Sequence, residues 1–325
     1  MFSFLGGWLA RLAPWMVIGG LAYAAVFIKP SVDPVPLDQP LLERRDAFFD
    51  GAVLDQNIWV VGQNGALLTS EDAGRSWVRE ELPQRSNLQS IAVSPMGQKV
   101  VVGNQGQVWT RVLDGPWQHL ELQVSELAGK LQSVKFIDGE FWVVGEMGAL
   151  FRGSEEATDW QALGLDEDIN LNAISAGVDD DLWIAAEFGR LLRSQDRGRS
   201  WSAQELGSES LRAVYFRGTT GMAVGNRGQA FISHDGGDSW RPIAPFTSEH
   251  LFDVVERDGQ WLVTGARGAL FRSEDPQRQW RAWTPEGLDM SYHNRLLATD
   301  DGVVLIGQQL GLLHGDQLQI WPGEQ

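Results

Sequence analysis

The sequence predicts an all-β protein, a seven-bladed β-propeller with four-stranded blades, preceded by one N-terminal membrane helix. Three observations predict this fold. A glycine-rich turn and a tryptophan each recur every 39 to 43 residues, short apolar segments alternate with turns inside each repeat, and one uncharged apolar segment precedes the first repeat. Seven copies of about 40 residues with four strand-like segments each are typical of propeller blades. We therefore divide the chain into an anchor (1–29), a linker (30–44) and a propeller (45–325).

The N-terminal segment 12–28 contains seventeen uncharged, mostly apolar residues between Arg11 and Lys29. This length is at the short end for crossing a hydrocarbon core of about 30 Å. Trp8 and Trp15 stand where interfacial aromatic residues are expected. The segment predicts an uncleaved single-pass anchor in the lipid bilayer of an inner membrane, with the remaining chain exported to the periplasm. A signal peptide cleaved near residues 22–24 and a buried soluble helix are the alternatives.

The linker carries prolines at positions 30, 34, 36 and 40. A proline-rich segment stays extended at about 3 Å per residue, so this one could hold a domain roughly 30 Å from the bilayer. A disordered tether without a fixed length is the alternative.

Composition limits the function classes. The 325 residues include 43 acidic and 26 basic side chains, which gives a formal net charge of −17. Nucleic-acid binding is disfavoured because phosphate contacts need a basic surface. The chain has no cysteine, which excludes disulfides, zinc–thiolate sites and thiol nucleophiles, and its five histidines show no metal-ligand spacing. We predict no metal and no cofactor.

Two residue types mark each repeat. The first glycine of a Gly-x-x-Gly turn recurs in six copies, and alanine replaces it in the fourth: Gly62, Gly103, Gly145, Ala186, Gly225, Gly265 and Gly307. A tryptophan predicted to open the fourth strand recurs in all seven: Trp77, Trp117, Trp160, Trp201, Trp240, Trp280 and Trp321. Between these markers the apolar runs are nearly continuous, which indicates strands covered on both faces.

A Ser-x-Asp-x-Gly-x-x-Trp order precedes several of the tryptophans. It is complete around Asp72–Trp77, Asp196–Trp201 and Asp235–Trp240, and partial around Asp275–Trp280 and Asp316–Trp321. The carboxylate can accept backbone N–H groups of its own turn, and glycine permits a positive φ. We interpret this order as a structural hairpin between the third and fourth strands. Calcium binding is disfavoured, because one carboxylate per turn falls short of the six to eight oxygens that calcium takes.

The segments GRLLRSQDRGRSW (189–201) and GALFRSEDPQRQW (268–280) closely resemble the photosystem II assembly/stability factor propellers, within the wider group of BNR (Asp-box) repeats. The resemblance covers roughly residues 45–325. It implies a non-enzymatic, exported or membrane-tethered propeller that assembles or stabilises a membrane-protein complex through a face with clustered arginines. It would place a photosynthetic relative in the thylakoid lumen. The family's strand-three arginine is present here only at Arg152, Arg193 and Arg272, so we expect a different client, first of all an inner-membrane transporter.

The variable residues of the Gly-x-x-Gly turns are predicted to form a ring on one face of the propeller, because every second connection of a blade emerges there. An apolar pair on adjacent blades, with arginines on the following blades, suits a protein-binding hot spot. The candidate interaction face comprises Met147, Phe188, Arg190, Arg227, Arg267, Asn64 and Gln105. Ordinary solvated turn residues are the alternative.

Two other functions compete with a scaffold. Sialidases share Asp-box propellers and use a tyrosine nucleophile, and Tyr292 with Glu286 or Asp289 is the single conceivable remnant here. No phosphate loop, nucleophile elbow or metal motif is found, so we predict no catalytic residue and no enzyme. A carbohydrate- or lipid-binding module would need a deep, aromatic-lined pocket at the ring centre.

Overall fold

The computed structural model describes residues 14–21, 23, 41–42, 46–126, 129–165 and 167–321. Residues 14–21 and 23 are helical. The rest of the predicted anchor, and the predicted linker apart from residues 41–42, lie outside the described residues. Within the described ranges, no helix combines the length and the apolar character needed to cross a membrane. The described residues from Leu41 onward form one compact unit.

This unit contains seven sheets of four strands, each formed by consecutive strands of the chain. We number the sheets as blades 1 to 7. Blades 1 to 3 comprise β1 (Phe48–Leu54), β2 (Asn57–Gly62), β3 (Leu67–Ser70) and β4 (Val78–Glu80); β5 (Leu88–Val93), β6 (Gln98–Gly103), β7 (Gln107–Val112) and β8 (Gln118–Glu121); β9 (Leu131–Ile137), β10 (Glu140–Gly145), β11 (Leu150–Gly153) and β12 (Trp160–Ala162). Blades 4 and 5 comprise β13 (Leu171–Ala176), β14 (Leu182–Ala186), β15 (Arg190–Ser194) and β16 (Ser202–Glu205); β17 (Leu211–Arg217), β18 (Thr220–Gly225), β19 (Ala230–Ser233) and β20 (Arg241–Pro242). Blades 6 and 7 comprise β21 (Leu251–Arg257), β22 (Gln260–Gly265), β23 (Leu270–Asp275) and β24 (Gln279–Ala282); β25 (His293–Thr299), β26 (Gly302–Gly307), β27 (Leu310–His314) and β28 (Gln317–Ile320).

The first strands of the blades surround a common axis. Each first strand contacts that of the next blade, in the order β1, β5, β9, β13, β17, β21 and β25, and β25 contacts β1. All strand pairs within the blades are antiparallel. The fold is therefore a closed, seven-bladed β-propeller with four-stranded blades, which confirms this part of the prediction.

The hydrophobic core is divided among the spaces between blades. The described residues form seven buried apolar clusters, each between two neighbouring blades. In β2, Val60 faces the cluster shared with blade 7, and Trp59 and Val61 face the cluster shared with blade 2. Both faces of the strand are thus covered, which explains the continuous apolar runs.

Three turns between the third and fourth strands share one hydrogen-bond pattern, and we call them Ser-Asp turns (70–77, 194–201 and 233–240). In the last of them, the Asp235 carboxylate accepts bonds from Ser239 N (2.9 Å), Ser239 Oγ (2.5 Å) and Ser233 Oγ (2.8 Å). The Gly237 N–H donates to Ser233 Oγ (2.8 Å). Both oxygens of the Asp235 carboxylate accept hydrogen bonds from its own turn, so its role is structural.

The glycine of each Ser-Asp turn lies against an indole ring of the preceding blade. A Cβ atom on Gly198 would come within 2.4 Å of the Trp142 ring, and one on Gly237 within 2.2 Å of the Trp183 ring. Trp142 and Trp183 belong to the second strands of blades 3 and 4. The turn therefore forms part of the contact between blades.

The interpretation of Asp316 and Trp321 as a further copy of this turn is wrong. Trp321 follows β28 instead of opening it, and its N–H donates to Leu310 O (2.8 Å), as Trp283 N does to Leu270 O in blade 6. The shift arises because Gly315 and Asp316 alone connect β27 to β28. The Asp316 carboxylate binds Trp283 Nε1 (2.8 Å) and Arg272 Nη1 (3.2 Å) of blade 6 instead.

Asp275 also departs from the complete pattern. Pro276 occupies the variable position that follows the aspartate in the Ser-x-Asp-x-Gly-x-x-Trp order. Asp275 itself pairs with Gln279 in the β23–β24 ladder, which extends to these two residues. Trp280 lies inside β24 and donates its Nε1 proton to Pro276 O (2.9 Å).

Candidate interaction face

The turns that begin at the recurring glycine, or at Ala186 in blade 4, connect the second and third strands of each blade, as predicted. In blade 7, Leu310 stands in place of the second glycine. In blade 5, β18 ends at Gly225, and the turn 226–228 places Arg227 at φ 53°. A Cβ atom on Gly225 would lie 2.3 Å from Ser210 O, and one on Gly228 would lie 2.0 Å from Thr247 O. The two glycines are thus required by close backbone approach on both sides of the turn.

The residue before the second glycine has a left-handed backbone in six blades. We call this residue the tip; its φ lies between 53° and 58° at Asn64, Gln105, Met147, Phe188, Arg227 and Arg267. Residues other than glycine, asparagine and aspartate rarely adopt this conformation, and it costs of the order of 1 kcal/mol or more. Six repetitions indicate that the surrounding backbone imposes it.

The connectors to the following blade hold the tips in place. Asn64 N donates to Asn87 Oδ1 (2.9 Å), Met147 N to Asn170 Oδ1 (3.3 Å) and Arg227 N to His250 Nδ1 (3.3 Å). Sequence reasoning missed these three residues. The available signal was a polar residue directly before the leucine that opens the first strand of blades 2, 4 and 6, at Asn87, Asn170 and His250.

Three consecutive tips project into solvent. Phe188 on blade 4 is 63% exposed. The side chains of Arg227 on blade 5 and Arg267 on blade 6 are 74% and 75% exposed. Each arginine forms one long ion pair, to Glu209 (3.5 Å) and Glu249 (3.6 Å) respectively. Exposed pairs of this kind contribute about 0–1 kcal/mol, so the guanidinium groups remain available to a partner.

Four residues predicted for this face differ from the three exposed tips in their exposure, contacts or position. Met147 is partly buried, contrary to the expected exposed apolar pair with Phe188. Arg190 opens β15, and its guanidinium holds both carboxylate oxygens of Glu167, which raises its pKa. Asn64 and Gln105 are exposed, but they belong to blades 1 and 2, away from the arginine tips.

The strand-three arginines lie along the outer part of the blades and contact indole rings. Arg152 lies 5.9 Å from the Trp142 ring centre, Arg193 5.0 Å from Trp183 and Arg272 5.2 Å from Trp283. Arg193 also pairs with Asp181 (2.5 Å) and with Asp238 of the next blade (2.6 Å). These contacts assign Arg193 to the packing between blades.

Two residues of the rival glycosidase hypothesis, Tyr292 and Glu286, line different cavities. Tyr292 lines a cavity at the ring centre, whereas Glu286 lines a separate cavity between blades 7 and 1 with Gly74 and Trp321. Asp289 accepts a hydrogen bond from Ser291 N (2.8 Å). In the part of the chain that the structure describes, no three His, Asp or Glu side chains are grouped to hold a metal ion.

Comparison with known proteins agrees with the resemblance seen in the repeats. The chain is 25% identical over 236 residues to the photosystem II assembly lipoprotein Ycf48 of Synechococcus sp. (strain CC9902), covering 67% of this chain and 68% of the relative. No family model matches the sequence. The predicted likeness to photosystem II assembly factor propellers is thereby confirmed.

Solved structures share the fold at lower identity. YCF48 bound to D1 peptide superposes with a TM-score of 0.67 at 19% identity, covering 81% of this chain and 91% of that one. YCF48 from Cyanidioschyzon merolae gives 0.66 at 15% identity, covering 82% and 94%. The WD40 propeller domain of Doa1 gives 0.65 at 12% identity, covering 87% and 95%. Since an unrelated propeller superposes as well, these structures show the fold alone.

Proposed function

We propose that this propeller is a non-enzymatic assembly or scaffold subunit that binds a membrane-protein client through the face carrying Phe188, Arg227 and Arg267. The observation that carries the proposal is the rigid display of these three side chains on consecutive tips. An exposed aromatic residue next to arginines is the composition enriched in binding hot spots. The fixed backbone lowers the entropy lost on binding.

The comparisons support the class of client. The curated relative is named as an assembly lipoprotein of photosystem II, and one similar solved structure contains a D1 peptide. We carry over to this chain only the general role, recognition of a membrane protein during assembly. An inner-membrane transporter is our proposed client, because the arginine pattern of the photosystem family is incomplete here.

Membrane attachment is the second part of the proposal. The relative is named a lipoprotein, but this sequence contains no cysteine to which a lipid could be attached. We therefore propose that the apolar segment 12–28 holds the propeller at an inner membrane, on its periplasmic side. Attachment would raise the effective concentration of the binding face near a membrane client.

A mild-detergent pulldown of the full-length chain tests the face. We expect the wild-type protein to recover one or more integral membrane proteins. The double variant Arg227→Glu plus Arg267→Glu should reduce that recovery to background, because reversing two charges at a hot spot typically costs several kcal/mol.

A matched control reverses two exposed arginines on the opposite face. Arg75 and Arg199 lie in Ser-Asp turns, are exposed, and give the same change in charge when both are replaced by glutamate. This control should retain the client. Equal recovery of the same membrane protein by the wild type and the Arg227/Arg267 variant would overturn the proposed face.

A further inference from the structure

The centre of the same face opens into a cavity of 520 Å³ on the propeller axis. Its wall is formed mainly by the second residue of the first strand of each blade. Side-chain amides on blades 2 to 4 contribute to this wall, at Gln89, Gln132 and Asn172. Three cations also line it, Lys130, Arg212 and Arg295, and none of the described lining residues carries a carboxylate. In a chain with net charge −17, this local excess of positive charge is unusual.

The charge of Arg295 is already compensated. Its guanidinium pairs with Asp50 (3.0 Å) and Asp253 (3.4 Å) beside the cavity. Burial opposes ionisation of Asp50, but Lys135 and Arg295 together lower the pKa of this carboxyl. Arg295 therefore contributes donors to the wall rather than an uncompensated charge.

Lys130 and Arg212 have no such compensation. Both side chains are partly buried. Among the described residues, neither Lys130 Nζ nor the Arg212 guanidinium has a carboxylate within salt-bridge distance or a hydrogen-bond acceptor. Burial lowers the pKa of both groups, and the charge of Arg295 lowers that of Arg212 further. The positive charges are thus held in the cavity at an electrostatic cost.

Two acids that act on these cations through space, Glu146 and Glu187, serve the tip turns. Glu146 accepts the backbone N–H of Lys130 (3.1 Å), and Glu187 accepts the backbone N–H (3.1 Å) and the side-chain amide (2.8 Å) of Asn170. Each attracts its neighbouring cation through space without forming an ion pair with it. An anion entering the cavity would therefore meet two unpaired donors.

Three aromatic residues also line the cavity. Phe49 lies on blade 1, Phe252 on blade 6 and Tyr292 in the connector before blade 7, so two of them flank the blade that carries Arg295. The Arg212 guanidinium lies 5.7 Å from the Phe252 ring centre. Lys130 and Arg212 stand on either side of blade 4, so two separate anionic groups could each meet one cation.

We propose that the axial cavity is a binding site for a small dicarboxylate with an apolar body, held by Lys130 and Arg212 and packed against Phe49 and Phe252. Guanidinium groups bind carboxylates through paired hydrogen bonds, and ammonium groups bind them as point charges. The side-chain amide of Gln132, between the two cations, supplies a further donor. This site is independent of the client bound by the tips.

Isothermal titration calorimetry of the full-length protein in neutral detergent tests the site with three probes. Isophthalate offers two carboxylates on a ring, succinate lacks the ring, and inorganic phosphate lacks both the ring and the separated charges. We expect isophthalate to bind with one site per chain, more tightly than succinate, and phosphate to bind weakest. The affinity for isophthalate should fall as the salt concentration rises.

Variants locate the bound anion. Arg212→Gln and, separately, Lys130→Met should each weaken isophthalate binding by at least about tenfold, since each removes a charged hydrogen-bond donor. Arg241→Gln removes the same charge from exposed β20 of blade 5 and should bind as the wild type does. Unchanged thermal unfolding of each variant verifies its fold. Absence of isophthalate binding to the wild type, tighter binding of phosphate, or unchanged binding by both cavity variants would overturn the proposal.

Discussion

Gly237 shows how one residue can serve two physical requirements. Its φ is 92°, a conformation that side chains disfavour, and the space where a Cβ would stand is filled by the Trp183 ring of the preceding blade. The neighbouring Gly236 has a similar φ of 73°, but its nearest atom to an added Cβ is 3.7 Å away, on Val178. Gly236 therefore needs glycine only for its backbone conformation, whereas Gly237 needs it also for packing against the preceding blade.

We predict that Gly237→Ala destabilises the propeller more than Gly236→Ala does. Both substitutions introduce left-handed strain of about 1 kcal/mol, and Gly237→Ala adds an overpacking cost of about 1–3 kcal/mol. Urea unfolding followed by tryptophan fluorescence measures the difference. Equal midpoints for the two variants would show that the indole contact does not determine the glycine.

Ser200 provides a second prediction at this scale. Hydrogen bonds from its hydroxyl and N–H lower the pKa of Asp196 to about 2. Because the pKa of this carboxyl is lower in the folded than in the unfolded state, its contribution to stability is present above about pH 4 and is lost as pH falls toward 2. Ser200→Ala removes the hydroxyl and part of that contribution.

The variant should therefore unfold at lower urea than the wild type at pH 7, and the two midpoints should converge toward pH 2. Ser202→Ala, in the adjacent β16, is the control, since Ser202 Oγ bonds only Arg193 O (3.3 Å) among the described groups. A gap between Ser200→Ala and the wild type that stays constant from pH 7 to pH 2 would contradict the role of the carboxylate.

At the level of elements, strands could be predicted from the sequence where they are short apolar runs between recurring turn residues. The first strands of blades 2 to 6, which all begin with leucine, follow from this pattern. The lengths of the outer strands do not follow from it: β20 has two residues and β12 has three, because few side chains there are buried by a neighbouring blade. The regular spacing of the tryptophans also hid a difference in blade 7. There the turn before the fourth strand is shorter and Trp321 follows that strand, and these two changes together keep the usual distance from Trp280 in the sequence.

The candidate face was predictable in its position and less so in its chemistry. Strand direction alone places the Gly-x-x-Gly turns on one side. The backbone of three tips is held by the connector 23 residues later, as for Asn64 and Asn87. The partial burial of Met147 and the binding of Arg190 to Glu167 depend on contacts between separate segments of the chain. No local sequence pattern predicts such contacts. The axial cations were missed for the same reason, because Lys130 and Arg212, distant in sequence, line one cavity only in the folded propeller.

At the scale of the whole molecule, the ring closes, within the described residues, without exchange of a strand between blades 1 and 7. Blade 1 contains β1–β4 and blade 7 contains β25–β28, so side chains must hold this seam. Asn294 Nδ2 donates to Phe48 O (2.8 Å), and Arg295 pairs with Asp50. The Trp77 and Trp321 rings lie 5.3 Å apart within the cluster shared by these two blades.

Trp321 has a specific place in that seam. A Cβ on Gly74 would lie 2.3 Å from its ring, so Trp321 occupies the position under the glycine of blade 1 that Trp142 and Trp183 occupy under Gly198 and Gly237. Those two tryptophans come from second strands, whereas β26 of blade 7 begins Gly-Val-Val and offers no indole. The residue after the last strand thus supplies the ring that the second strand lacks.

We predict that Trp321→Ala lowers the free energy of unfolding by about 3–5 kcal/mol and opens the seam before the rest of the ring. Hydrogen exchange followed by mass spectrometry should show faster exchange in blades 1 and 7, with blades 3 to 5 protected. Leu318→Ala is the matched control: Leu318 is buried in the same strand region but packs in the cluster between blades 6 and 7. Its faster exchange should centre on that boundary and leave blade 1 protected. If both variants exchanged alike across all blades, the ring would unfold as one unit and Trp321 would hold no special position in its closure.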